Sequence, residues 1–177
     1  EGDSGGIFAL PVSSDYISND YPIFEIDGKN YVIAGMPYVS EEKVIKINDK
    51  EIKVLPVNYG ESRITIENDS LVNLSSSDQE RAAKERKLLQ SVLAKKSNFI
   101  LSDLRFLRPV KGAVTSGFGK KRFINDLPRA PHLALDLDGF DGDPIVAPLV
   151  AKVVLVDNFF YSGNIIVLDH GSGVFTS

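Results

Sequence analysis

Pro131-His132-Leu133-Ala134-Leu135-Asp136 sets an imidazole and a carboxylate four residues apart. Whether this stretch is helix or strand decides how the chain around it folds. A helix would place the two side chains on one face. Pro131 precedes the pair, however, and the run Asp138-Gly139-Phe140-Asp141-Gly142-Asp143-Pro144 follows it, so the neighbourhood does not suit a helix. On a flat strand four residues span about 13 Å at 3.3 Å each. Two donors of one zinc ion, each about 2 Å from the metal, must lie within roughly 4 Å of each other. If the pair acts on one ion, the extended chain must bend near Leu133 and Ala134. A His and an Asp are in any case only part of a catalytic zinc site, which takes three protein ligands and a water. A structural hydrogen bond is the plainer reading of the pair taken alone.

Working outward, the chain reads as strands on both sides of one helical segment. Residues 1–21 are rich in Gly, Ser, Asp and Asn around Ile7-Phe8-Ala9-Leu10-Pro11-Val12. They are expected to form a flexible N-terminal arm with one edge strand, since Pro11 is out of place in a central strand. Ile23 to Ile26 and Tyr31 to Met36 flank Asp27-Gly28-Lys29-Asn30, a hairpin signal. Lys43 to Ile47 and Glu51 to Val57 repeat it around Asn48-Asp49-Lys50, and a further strand runs from Arg63 to Glu67. This spacing predicts an N-terminal β domain over 22–74, a small β-sandwich or half-barrel.

Ser75-Ser76-Ser77 changes the period. Ser77 and Glu80 read as a capping box, and no Gly or Pro interrupts Asp78 to Lys96. The spacing predicts a linker helix within 75–98, about 28 Å long at 1.5 Å per residue. Its apolar positions Ala82, Leu88, Leu89, Val92 and Leu93 predict packing at its C-terminal end only. Strand patterning resumes at Phe99. Ala113 to Ser116, Ile145 to Ala147, Ala151 to Val156 and Asn164 to Leu168 are the expected strands of a second β domain over 99–177.

The order of motifs in that second domain is specific. Val114-Thr115-Ser116-Gly117-Phe118-Gly119, then Arg122, Pro128 to His132, Leu135-Asp136 and Gly142-Asp143-Pro144-Ile145-Val146-Ala147-Pro148 resemble the lysostaphin-type zinc metalloendopeptidases, which cut peptidoglycan cross-bridges. So do Asn158 to Asn164 and Val167-Leu168-Asp169-His170-Gly171-Ser172-Gly173. The likeness runs from about Phe106 to Ser177, and the order β domain, helix, peptidase domain is similar to bacterial members with an N-terminal β domain. It implies a mainly β fold with one long helix and an incomplete antiparallel β peptidase domain. It implies that His132 and Asp136, matching the family's H-x-x-x-D, are zinc ligands. The family's Y-x-H and H-x-H motifs, which carry the third ligand and the remaining catalytic histidines, are expected beyond Ser177. No catalytic residue is therefore expected within this chain, and the chain alone is expected to be inactive. Peptidoglycan peptides are the implied partner, and the cell envelope, periplasmic or secreted, is the implied location, with a signal peptide removed.

Two departures from the family pattern stand out. Ala134 occupies a position where the family usually has Gly, and positive φ there would cost about 1 kcal/mol or more. Asp138, Phe140 and Asp141 stand where small uncharged residues are usual. They support an alternative, a non-catalytic member that binds cell wall or regulates a hydrolase. The N-terminal β domain could also be the functional part, as a binding or inhibitory module.

Composition narrows the classes further. The 177 residues carry a net charge of -4, with 43% hydrophobic and 25% charged residues, ordinary for a globular protein and without the global basic signal of a nucleic-acid binder. Cysteine is absent, which excludes disulfides and thiolate metal sites. No apolar run is long enough to cross a bilayer. No Walker loop, nucleophile elbow or zinc-finger spacing occurs. Asp136 to Asp143 fails the EF-hand pattern, because Phe140 takes the fifth position and no Glu closes the loop. Lys120-Lys121-Arg122 is expected to be simply solvated, and His170 to be structural or at the surface.

Overall fold

Asp27 and Gly28 both adopt positive φ, 51° and 73°, the conformation of the tight turn that matches the twist of two antiparallel strands. That turn and others like it cut the chain into short strands. In the computed structural model, which describes residues 1–18, 20–67, 74–95, 97, 101 and 104–177, the elements follow in this order. They are β1 (Gly2–Asp3), β2 (Ile7–Val12), β3 (Ile23–Ile26), β4 (Lys29–Gly35), β5 (Lys43–Ile47), β6 (Lys50–Leu55) and β7 (Glu61–Ile64). Then come α1 (Ser76–Leu93), β8 (Val114–Ser116), β9 (Lys121–Ile124), β10 (Leu127–Arg129), β11 (Asp136–Leu137), β12 (Lys152–Phe159), β13 (Gly163–Asp169) and β14 (Phe175–Thr176). The fold is mainly β with one helix and several small open sheets, as the patterning predicts. Residues 68–73, Lys96 and Phe99, which figure in the expected strand end, helix end and strand restart, lie outside the described residues.

The residues form two compact units, each assembled from separate stretches. The first comprises Glu1–Ser62, Gly117–Arg122 and Arg129–Leu135; the second comprises Arg63–Ser116, Phe123–Pro128 and Asp136–Ser177.

In the first unit, β2, β4 and β3 form one antiparallel sheet in that order, with β2 and β3 on the edges. Pro11 sits in β2, an edge strand, where its missing N–H is tolerated. A second sheet has the order β1-β6-β5, in which β1 runs parallel to β6. Period-2 alternation turns Val32 and Ala34 of β4 inward, and likewise Ile52 and Val54 of β6. With Leu10, Met36 and Ile47 they make one core. Ser4 is fully buried beside it, and its hydroxyl accepts from Val39 N at 2.7 Å.

In the second unit, α1 lies against the hairpin of β12 and β13. Val92 packs with Phe159, Ile165 and Val167. The helix differs from its expected form in two ways. Its N-cap is Ser75, whose Oγ accepts from Asp78 N at 3.2 Å, so it starts before the Ser77–Glu80 box. Asp78 is three residues on and already engages the Ser75 hydroxyl, at 2.6 Å, so the cap closes there first. The helix also packs beyond its C-terminal half. Arg81 donates to Asn158 O at 2.8 Å, and Glu85 accepts from Phe160 N at 2.8 Å. These polar anchors are invisible to a search for apolar stripes.

Residues Ile145-Val146-Ala147 are not a strand. Pro144 and Pro148 bracket them and offer no N–H to a ladder, and Ile145 is 79% exposed. Val146 N donates instead to Pro109 O at 3.0 Å. The remaining strands pair antiparallel, β8 with β11, and β12-β13-β14 in order. A fifth small sheet has the order β10-β9-β7.

Candidate metal centre

His132 belongs to the first unit and is buried, 3% exposed. Its backbone is fixed on both sides: Gly119 N donates to His132 O at 2.6 Å, and His132 N donates to Lys120 O at 2.9 Å. Gly119 holds φ at 84°, and a Cβ there would stand 2.2 Å from the Tyr59 ring. The seat of His132 therefore requires glycine twice over, for its φ and for its space. Tyr59 is itself anchored, donating from its hydroxyl to Ser4 O at 2.6 Å and meeting Phe118 edge-on at 5.5 Å. The polar end of the His132 ring is set by Arg122, whose Nη2 hydrogen-bonds Nδ1.

That bond has a chemical consequence. A guanidinium carries only donors and stays charged. Nδ1 must therefore accept. Arg122 is also half-buried, which corrects the expectation that Lys120-Lys121-Arg122 is simply solvated. In β9 Lys121 is exposed, and Arg122, Phe123 and Ile124 are all half-buried.

Asp136 belongs to the second unit, exposed at the start of β11, where it pairs with Ser116 of β8. The chain between the two residues bends at Ala134, the region where the spacing requires a bend. Ala134 is not among the residues with positive φ, so the left-handed strain considered for it is absent. The acidic run after Asp136 satisfies itself locally. Asp143 accepts from Phe140 N at 2.8 Å, and Asp138 accepts from Gly139 N at 3.0 Å. Beside it, Gly112 passes so close to the backbone that a Cβ would stand 1.6 Å from Asp138 O.

His170 is structural. It is fully buried in the second unit, edge-on to Phe106. Nδ1 lies 3.0 Å from Val150 O and Nε2 lies 2.8 Å from Thr176 Oγ1. A carbonyl only accepts, so the proton is on Nδ1 and the Thr176 hydroxyl donates to Nε2. Asp169 beside it is buried and accepts from Gly171 N at 2.7 Å.

The two donor types at positions 132 and 136 are ones that zinc accepts. Among the described residues, no group of three or more His, Cys, Asp or Glu side chains could hold a metal ion. Nδ1 of His132 is engaged by the Arg122 guanidinium. His132 and Asp136 alone do not make up the three protein ligands that a catalytic zinc takes.

Sequence patterning could have found the seat of His132 on Gly119 through the turn Asn125-Asp126, where φ is 50° and 61°. Two positive-φ residues mark a hairpin turn, and counting outward from it brings Gly119 opposite His132, as observed.

The fold has a known counterpart. The crystal structure of a "putative peptidase M23" from Pseudomonas aeruginosa is similar over 97% of this chain and 70% of that one, at a TM-score of 0.69 and 19% identity. This chain has the fold of that protein. No protein-family profile and no curated protein matches the sequence. Among the described residues, no helix is long and apolar enough to cross a membrane.

Proposed function

We propose that the protein is a zinc-dependent endopeptidase of the lysostaphin type, acting on peptide cross-links of peptidoglycan in the bacterial envelope. The observation that carries this reading is the fold, similar over 97% of the chain to a peptidase M23. The ordered motifs around His132 and Asp136 add to it, with those two residues as metal donors.

The test is release of soluble peptide from purified peptidoglycan by the full-length gene product, with and without a chelator. Chelator-sensitive cleavage that zinc restores is the expected result, with none from residues 1–177 alone. Cleavage that ignores the chelator would overturn the zinc reading. A protein that binds the sacculus and never cleaves it would establish the second reading, a non-catalytic cell-wall-binding or hydrolase-regulating protein. The Arg122–His132 contact is the observation that favours it.

A further inference from the structure

We infer that Asp138-Gly139 is a modification site, at which the main chain rearranges spontaneously through a cyclic imide to isoaspartate. The acidic, glycine-rich run after Asp136 departs from the family pattern and has no part in the proposed metal chemistry. The sequence has three Asp-Gly steps, at Asp27, Asp138 and Asp141. The rearrangement needs the nitrogen of the following residue to reach the carboxyl carbon, and a following glycine has no side chain to obstruct it. It is faster where the two groups are held together beforehand. At Asp138 the carboxylate lies over its own next nitrogen, with Gly139 N donating to Oδ1 at 3.0 Å, and both residues are exposed. Among the described residues, no such bond forms at Asp27 or Asp141. Asp157 shows the converse. It accepts from Asn158 N at 2.7 Å, but its next residue carries a side chain and both lie within β12. Asp138 unites the contact with the glycine.

The step is a loss and regain of water. Gly139 N bonds to Cγ of Asp138 as the amide proton and the carboxyl's hydroxyl leave as water, which closes a five-membered imide. Water then opens the ring at either carbonyl. Opening at Cγ restores aspartate. Opening at the main-chain carbonyl leaves the chain running through Cβ and Cγ, one methylene longer, with the old carbonyl as a free carboxylate. Only water is consumed, and it is returned. The surroundings of Asp138 leave little room for the longer chain. Asp138 N donates to Ala113 O at 2.8 Å. Gly112 passes so near that a Cβ there would stand 1.6 Å from Asp138 O, the oxygen that becomes part of the new carboxylate. Leu137, one residue earlier, pairs with Val114 in the two-residue strand β11. Isoaspartate at this step therefore loosens the short β8–β11 pair, whatever the protein's function.

The test is to keep purified protein at physiological pH and temperature for several weeks, then digest it and map the peptides by electron-transfer fragmentation. Aspartate and isoaspartate break into different backbone fragments, so each step is read separately. The expected result is isoaspartate at Asp138 about tenfold above that at Asp27, Asp141 or Asp157, a small part of what a pre-held contact can contribute. In denaturant the three Asp-Gly steps should converge, since the fold is what separates them. Gly139→Ala should bring the yield at Asp138 down to that of Asp157. The fold tolerates this change, because Gly139 is not at positive φ and an added Cβ would meet only Asp143 Oδ2, at 3.8 Å. Asp138→Glu, which would have to close a larger ring, is the second variant and should give no product at this position. Equal yields at the three Asp-Gly steps of the folded protein overturn the role of the contact. No isoaspartate at Asp138, or an unchanged yield in Gly139→Ala, overturns the site.

Discussion

His132 and His170 are both buried, and each is tied to the fold at both its backbone and its ring. They differ in the polarity of what faces Nδ1: a guanidinium at His132 and the Val150 carbonyl at His170. One partner only donates and the other only accepts. His170 has the carbonyl-braced form common to metal-ligating histidines, yet its free lone pair is spent on the Thr176 hydroxyl inside a small sheet. His132, which the family resemblance marks as a ligand, has a partner of the wrong sign. The identity of a histidine thus says less about its chemistry than the sign of its neighbour, which can lie ten or twenty residues away.

The largest way to break the comparison is through the backbone that seats each site. Gly112→Ala places a Cβ 1.6 Å from Asp138 O, a backbone atom that cannot swing aside. The strand carrying Asp136 must shift, and denaturant melts should show a loss of about 4 kcal/mol or no folded protein. Gly119→Ala meets the Tyr59 ring at 2.2 Å under a φ of 84°. A ring can turn, so about 3 kcal/mol is expected. A Gly112→Ala protein as stable as wild type would show that the two backbones are not in contact.

Removing the rings themselves should cost unequally. His170→Ala strips the Val150 carbonyl and the Thr176 hydroxyl of their partner and leaves a cavity against Phe106, for about 3 kcal/mol. His132→Ala leaves Arg122, half-buried and able to turn its guanidinium to water, so about 1 to 2 kcal/mol is expected. Urea midpoints of the two variants check the order. An equal or greater loss at His132 would mean that His132 is a core residue of the same kind as His170.

How much of this is legible in the sequence follows from the range of the forces involved. The hairpins at Asp27-Gly28 and around Asn48 are legible, because turn chemistry and two-residue alternation are local. The Ile145–Ala147 segment reads as a strand by its β-branched residues, and its flanking prolines decide otherwise. The helix cap is local too, but three serines compete for it, and the choice falls to the short Ser75–Asp78 contact. Ser75→Ala should lower stability by about 1 kcal/mol and Ser77→Ala by less, measured by thermal melting. The reverse order would restore the Ser77–Glu80 box. The Arg122–His132 contact was the hardest to read. Nothing at either position states its partner. The bend at Ala134 was legible, since four extended residues cannot bring two donors within reach of one ion.

The smallest change sharpens the comparison most. Thr176→Val keeps the size of the side chain and removes the donor to His170 Nε2. The hydroxyl's partner is a ring nitrogen, so the loss in stability should be about 1 kcal/mol, a typical net hydrogen bond. The ring should keep its proton on Nδ1, because the Val150 carbonyl still selects it. A ¹⁵N–¹H spectrum of the imidazoles should show an unchanged Nδ1–H and a displaced Nε2 resonance. If the proton moves to Nε2 instead, the carbonyl is not what sets the tautomer, and the contrast with Arg122 loses its physical basis.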